Sequence, residues 1–295
     1  VVKSTSKARA QGIAAGIGFA AIGGAVPGSS SINLVNNTTL AFIDDGARVR
    51  AQDNVGVVAW SDDQLVNGAG VGAVAGLGAG VGLSATVSEI GGRTAAYIDG
   101  AGTSVTALAR NASRGVEVAE GGLHSLDLEK NLQVPIEPDH FNPFVDFANL
   151  RRTQMVHGVA VNASATHHVQ NYVLNVAGGF AGVSGVGSVA VITGATEAYV
   201  KGAQINRQAD GVGTVLQGIH VGASDHSFNH SYVLSTGMGI GGVGAAFGVS
   251  VFDRDTLAAI DDSTEVNAAG AVNVDARGTQ NVASVVAGAG GGGLG

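Results

Sequence analysis

Hydrophobic and polar positions alternate along most of this chain, and the alternation keeps returning. Between 70 and 83, Val71, Ala73, Ala75, Leu77, Ala79, Val81 and Leu83 hold the odd positions, and every even position except Val74 is glycine. A period of two predicts a strand with its aliphatic face inward. The glycine face is bare backbone that another segment can approach closely. A helix is disfavoured, because each interior glycine costs about 1 kcal/mol against alanine. Stretches 176–191 and 238–251 read the same way. Shorter alternations at 47–51 and 264–268, and polar strands at 57–61, 159–163, 219–223 and 272–276, complete the pattern. Asp, Gly and Ser between these pieces supply turns.

The pieces repeat as a set. Residues 167–260 hold two passes offset by 60 residues without a gap: Tyr172-Val173-Leu174 returns as Tyr232-Val233-Leu234, and Ala163-Ser164 as Ala223-Ser224. One short motif occurs four times, ending at Ile43, Ile98, Val200 and Ile260. A fixed period of this size predicts a solenoid in which each unit buries its apolar face only against its neighbours. The expected fold is all-β, a parallel β-helix or β-solenoid of ~60-residue repeats with about three rungs of roughly 20 residues each. Residues 1–119 and 154–295 are read as repeats of one elongated domain. Between them, 120–153 holds three of the four prolines and Phe141, Phe144 and Phe147, and almost no glycine. It is read as an insertion outside the coils. It is either a cap that packs its phenylalanines on the solenoid flank or a loop that binds a partner through Phe141, Phe144, Phe147, Arg151 and Arg152.

Composition sharpens this picture. Aromatic residues are 5% and charged residues 13%, whereas 48 residues are glycine, which suits thin layers of small side chains better than a compact enzyme core. The absence of cysteine excludes disulfides, thiolate-bound metals and c-type haem. A net charge of −8 without a basic stripe argues against nucleic acid. The most apolar run, 13–26, is too short and too glycine-rich for a membrane span and is read as part of the array. Val1 in place of Met, and the glycine run at 290–293, read as the ends of a fragment.

The segment SATVSEIGGRTAAYIDGAGTSVTA (84–107), with its echoes before Val200 and Ile260, resembles the β-helical passenger regions of large bacterial exported adhesins. The nearest type is the filamentous haemagglutinin and leukotoxin-like filamentous adhesins of two-partner and autotransporter secretion. The resemblance covers most of the chain outside 120–153. It implies a secreted or surface-attached rod without enzymatic activity. Its expected partners are a receptor, glycan or matrix on a host or neighbouring cell, or further copies of itself in a filament. The family offers no catalytic residues to carry over.

Other chemistry competes with this reading. Asp44-Asp45, Asp62-Asp63, Asp261-Asp262 and the near pair Asp253/Asp255 invite comparison with β-helical polysaccharide-acting enzymes. Adjacent strand residues point to opposite faces, however, so a neighbouring pair is not itself a dyad. Acidic turns give calcium a weak claim, but the Gly-Gly-x-Gly-x-Asp nonapeptide is absent, since Ala245 and Ala246 follow Gly244. No cofactor is expected. His167, His168, His226 and His230 read as polar positions on a solvent face, with a metal site alongside His220 as the sharper option. Trp60, Tyr97, Tyr172, Tyr199 and Tyr232 recur at repeat positions and read as core fillers, with sugar docking as the alternative.

Overall fold

In the computed structural model, which describes residues 1–124, 144–261 and 263–293, the chain forms parallel sheets stacked in register. Sheet A orders its strands β1 (Val2–Ile22), β4 (Val55–Leu77), β9 (Gly158–Gly178), β12 (Gly218–Gly239) and β15 (Val272–Gly292). Sheet B holds β2 (Gly28–Ile43), β5 (Ala79–Asp99), β10 (Ala181–Lys201) and β13 (Gly241–Ile260). A short sheet C stacks β3 (Arg48–Ala51), β6 (Ser104–Ala107), β11 (Gln204–Ile205) and β14 (Glu265–Val266). The parallel solenoid architecture expected from the repeats is therefore present.

The number of rungs per repeat is different. Val161 pairs directly with Val221, and Val200 with Ile260, so residues 60 apart are hydrogen-bonded neighbours. One repeat is one wide coil of two long strands and a short one, not three narrow rungs. A strand of 21 residues such as β9 spans about 70 Å at 3.3 Å per residue. The division into three followed from the usual width of a narrow β-helix, whereas the turn that ends each arm is nearly silent in sequence. Alternation passes through Leu77 and Gly78 unbroken, yet the chain reverses there. Val71, Ala73 and Ala75 point inward as expected, but beyond the turn Leu83 is 55% exposed and Gly80 and Gly82 take the inner face. There the bare backbone does what the pattern implied: a Cβ on Gly80 would strike the carbonyl oxygen of Gly178, and one on Gly182 that of Met238.

Sheets A and B face each other along their length, and the interior is layered by residue type. At the broad end, beside sheet C, the core consists of Val57, Ala59, Ala96, Ile98, Val105, Val161, Ala198, Val200 and Ile205 with their neighbours. The motif endings Ile43, Ile98, Val200 and Ile260 form one continuous row there. Further along lies a second apolar layer of Leu65, Ile90, Val169 and Ile192, and then a third with Ala69, Val173, Val186 and Val233. Hydrogen-bonded polar layers separate them. Asn67 donates to the Val87 carbonyl at 2.9 Å and to Ser88 Oγ at 2.6 Å, and Ser88 donates to Asn171 Oδ1 at 2.6 Å. No Lys, Arg, Asp or Glu occurs in 10–43, 64–88, 169–196 or 229–252, so the far arms of the coils carry no formal charge.

The insertion leaves the coils after β6 and rejoins them at β9. Its described parts are β7 (Val116–Leu123), a single helical turn α1 (Phe147–Leu150) and β8 (Arg151–Val156), with β7 and β8 antiparallel. Val116 and Val118 bury against Val58 and Ala160 on the outer face of sheet A.

Candidate functional site

The outer face of sheet A gathers most of the chain's unusual side chains. Even-numbered residues of β4 and β9 point outward, so Trp60, Asp62 and Gln64 line up beside Ser164, Thr166 and His168. The insertion lies on this row. Arg151 reaches down from β8 and donates to Asp62 Oδ1 at 2.8 Å and to Ser164 Oγ at 3.1 Å. Its guanidinium also sits 4.9 Å from the Trp60 ring centroid, and Lys3 Nζ lies 3.8 Å from the same ring. Burial pushes the Asp62 carboxyl above its ordinary value, against the opposing pull of Arg151. Gln64 clasps the backbone of Val145, donating to its carbonyl at 2.6 Å and accepting from its N–H at 2.8 Å. Phe147 is fully buried, stacked 5.7 Å from Phe228 and edge-on to His168 at 5.6 Å.

These contacts decide where the five residues expected to meet a partner stand. Phe147 and Arg151 are buried against the chain's own sheet and are not available on the surface, because their partners Phe228 and Asp62 lie in the coils. Arg152 is exposed and pairs with Glu120 at 3.2 Å. Phe144 is partly buried, with the Arg9 guanidinium 5.3 Å from its ring. Phe141 lies outside the described residues.

His167, His168 and His226 are buried and not on a solvent face, whereas His230 is partly exposed on the outer face of sheet A. His167 points into the coil interior and is 2% exposed. Its ring nitrogens lie 3.4 Å from Asp63 and 3.6 Å from Asp225, which are charge contacts longer than good hydrogen bonds. Arg254 completes this buried group, with Nη2 2.6 Å from Asp225 Oδ2. Burial works against the His167 imidazolium, but the Asp225 and Asp63 carboxylates prevail and hold its pKa above the ordinary value. Asp225 is held well below the usual carboxylate range: His167 and Arg254 outweigh the effect of burial. His168 faces the other way, beneath Phe147, and burial beside His230 pushes it down to about 3. Adjacent histidines thus have opposite surroundings because a strand alternates its faces. Among the described residues, no cluster of three or more His, Asp or Glu is arranged to hold a metal.

The same alternation separates Asp62 from Asp63, one under the insertion and one inside the coil. Asp253 and Asp255 do share an exposed face. Of the aromatic residues expected as core fillers, Tyr97, Tyr172, Tyr199 and Tyr232 instead stand in outer ladders, and Trp60 lies on the outer face of sheet A under Lys3 and Arg151. Phe42, Tyr97 and Tyr199 stack on sheet B with centroids 5.2 and 5.0 Å apart, and Tyr172 and Tyr232 stack on sheet A at 5.5 Å. The strand register puts these rings on the outward positions, next to inward Ala41, Ala96, Ala198, Val173 and Val233. Beside Tyr172 a cleft of about 430 Å³ opens over β1 and β4.

No protein-family model matches this chain, and no curated protein or solved structure is significantly similar to it.

Proposed function

We propose that this segment is a structural and adhesive part of a large secreted or surface-attached bacterial protein, in which stacked coils form an extracellular rod or filament. The observation that supports this reading is the in-register repetition of one wide coil, strand upon strand of nearly equal length, across sheet A. Such a stack grows by nearest-neighbour terms and offers length and lateral surface, not an enclosed reaction chamber. The uncharged arms carry exposed apolar side chains on their outer faces, including Ile32, Leu34, Val249 and Phe247 on sheet B. Exposed apolar surface on this scale suits contact with another surface.

A fibre subunit is the second reading, and the sheet edges favour it. Among the described residues, β1 and β2 at one end, and β15 and β13 at the other, are paired on one side only. Unpaired strand edges are templates for further strands. Electron microscopy of the purified segment, with binding to intact cells measured in parallel, tests both readings. Single rods that bind cells support the adhesive segment. Concentration-dependent filaments support the fibre. Globular particles that bind neither cells nor each other would overturn both.

A further inference from the structure

The ring ladder on sheet A stops short. Register places Ile13, Gly68, Tyr172, Tyr232 and Val285 in one outward row across the five strands. Tyr172 and Tyr232 are parallel within 4°. The next position is Gly68, which has no side chain, so the other face of Tyr172 looks onto bare backbone. The cleft of about 430 Å³ lies over that backbone and is lined by Gln11, Ile13, Val66, Gly68, Gly70 and Tyr172, among others. The space is real at the level of single atoms: a Cβ built on Gly68 would come no closer than 3.6 Å to Ile13, an ordinary contact.

The dimensions suit one ring. Neighbouring strands are about 4.8 Å apart, so two spacings, about 9.6 Å, separate the strand carrying Ile13 from the strand carrying Tyr172. The chain's own ladders show that rings at this spacing stack, with centroids 5.0 to 5.5 Å apart. Three rings in a row already occur on sheet B, where Phe42, Tyr97 and Tyr199 continue without a gap. The walls at Gly68 are Ile13, Val66 and the face of Tyr172, with the Gln11 side chain as the polar group at the rim. With Gln11 as the one polar side chain at the rim, the walls offer little to hydrogen-bond the hydroxyls that would orient a sugar. An aromatic ring needs no such partners.

We propose that the Gly68 gap is a binding site for a flat aromatic ring, which stacks on the free face of Tyr172 and occupies the rung of the ladder that the chain leaves empty. The occupant is a free small aromatic molecule, which the cleft of about 430 Å³ is large enough to hold. This inference stands independently of the adhesive reading.

The test is a titration of the full 295-residue chain, followed by NMR amide shifts, with indole and p-cresol as probes, a short tyrosine-containing peptide as a third, and a methyl hexoside as a fourth. A single ring of this size binds with a Kd on the order of 1 mM. The shifts are expected to centre on Gly68 and Tyr172 in β4 and β9. Tyr172→Leu should weaken indole at least about 5-fold by removing the stacking face. Gly68→Tyr should abolish binding, because the chain's own ring fills the gap, while its unfolding midpoint stays at or above that of the wild type. If Gly68→Tyr fails to fold, Ile13→Phe, which narrows the slot from the other wall, replaces it. A peptide that binds about 10-fold tighter than indole overturns the assignment to a free molecule, and a peptide that binds no tighter than indole supports it. The proposal is overturned if indole produces no shifts around Gly68, if the slot-filling variant binds indole like wild type, or if the hexoside alone binds there.

Discussion

The buried charge group in the fourth coil makes the sharpest prediction about how this solenoid is stabilised. Arg254 donates to Asp225 Oδ2 from Nε at 3.1 Å and from Nη2 at 2.6 Å, to the Thr193 carbonyl at 2.6 Å and to the Thr196 hydroxyl at 3.0 Å. Its side chain is 2% exposed. Replacing it by methionine keeps much of the volume but leaves Asp225 with His167, Ser227 and Thr196 for company. Breaking a buried pair in this way costs about 3–5 kcal/mol, most of it the desolvated charge left behind. Asp225→Ala should cost a similar amount, because it strands the guanidinium instead. The preceding coil shows the neutral alternative: Ala165 stands in register with Asp225, and Gly194 with Arg254. Arg254→Met combined with Asp225→Ala should therefore cost far less than the sum of the two, leaving a coupling of about 3 kcal/mol or more. Urea unfolding of the four proteins gives the cycle, and amide exchange in β12 and β13 shows whether the loss is local to that coil. Single variants within about 1 kcal/mol of wild type, or strictly additive costs, would refute the idea that this group is held together by charge.

Three further outcomes follow from the geometry. His168 is neutral in the fold, pushed down to about 3 from an ordinary 6.5, so it favours the folded state above pH 6.5 and loses that contribution as pH falls toward 3. At pH 4.5 the loss is about 2–3 kcal/mol, and His168→Gln, which copies Gln64 at the matching position, should flatten the urea midpoint between pH 7 and 4.5; an unchanged slope would count against burial as the cause. His167 has the opposite sign: its raised pKa stabilises the fold below 6.5 and the contribution disappears as pH rises through the folded value, so His167→Asn should remove part of any alkaline loss seen in a pH series of melting curves. At the arm turns, Gly80→Val should be unable to fold normally, because its Cβ meets the Gly178 carbonyl, whereas Gly72→Ala, with nothing within 4 Å, should melt within about 1–2 °C of wild type; equal melting of the two would mean the sheets do not approach as described.

Much of the architecture was legible in the sequence because a repeat period is a register. The 60-residue offset that aligns Tyr172 with Tyr232 is also the hydrogen-bonding offset between β9 and β12. The width of the coil was not legible, because a reversal built from Leu77 and Gly78 inside a glycine-rich run leaves the alternation intact. Single-residue chemistry was harder still. His167 and His168 are indistinguishable as letters, yet one faces Asp63 and the other Phe147. Arg151 finds Asp62 across 89 positions of chain, and nothing near either residue announces the other. The missing rung at Gly68 could have been found by writing the repeats beneath one another in register, since tyrosine in two coils stands opposite glycine in the third.

The polar layers inside the arms explain why such a repetitive chain adopts one register. A strand of valine, alanine and glycine can slide by two residues against its neighbour and still present the same face, so apolar pattern alone fixes register weakly. Sliding β9 by two would carry Asn171 away from Ser88 and put an apolar side chain in its place, leaving buried hydrogen-bonding groups without partners at about 1–3 kcal/mol each. Asn67, Asn171 and Ser231 occupy matched positions in successive coils. Four residues further toward the broad end, Asp63, His167 and Ser227 do the same, beside Asp225 and Arg254. The aliphatic layers thus supply cohesion that tolerates displacement, and the polar layers between them penalise it. Replacing Asn67, Ser88 and Asn171 together by alanine should therefore affect uniqueness more than cohesion: the far-ultraviolet strand signal should persist while amide resonances of β4, β5 and β9 broaden or double. A triple variant that keeps one sharp set of resonances would show that register is fixed elsewhere.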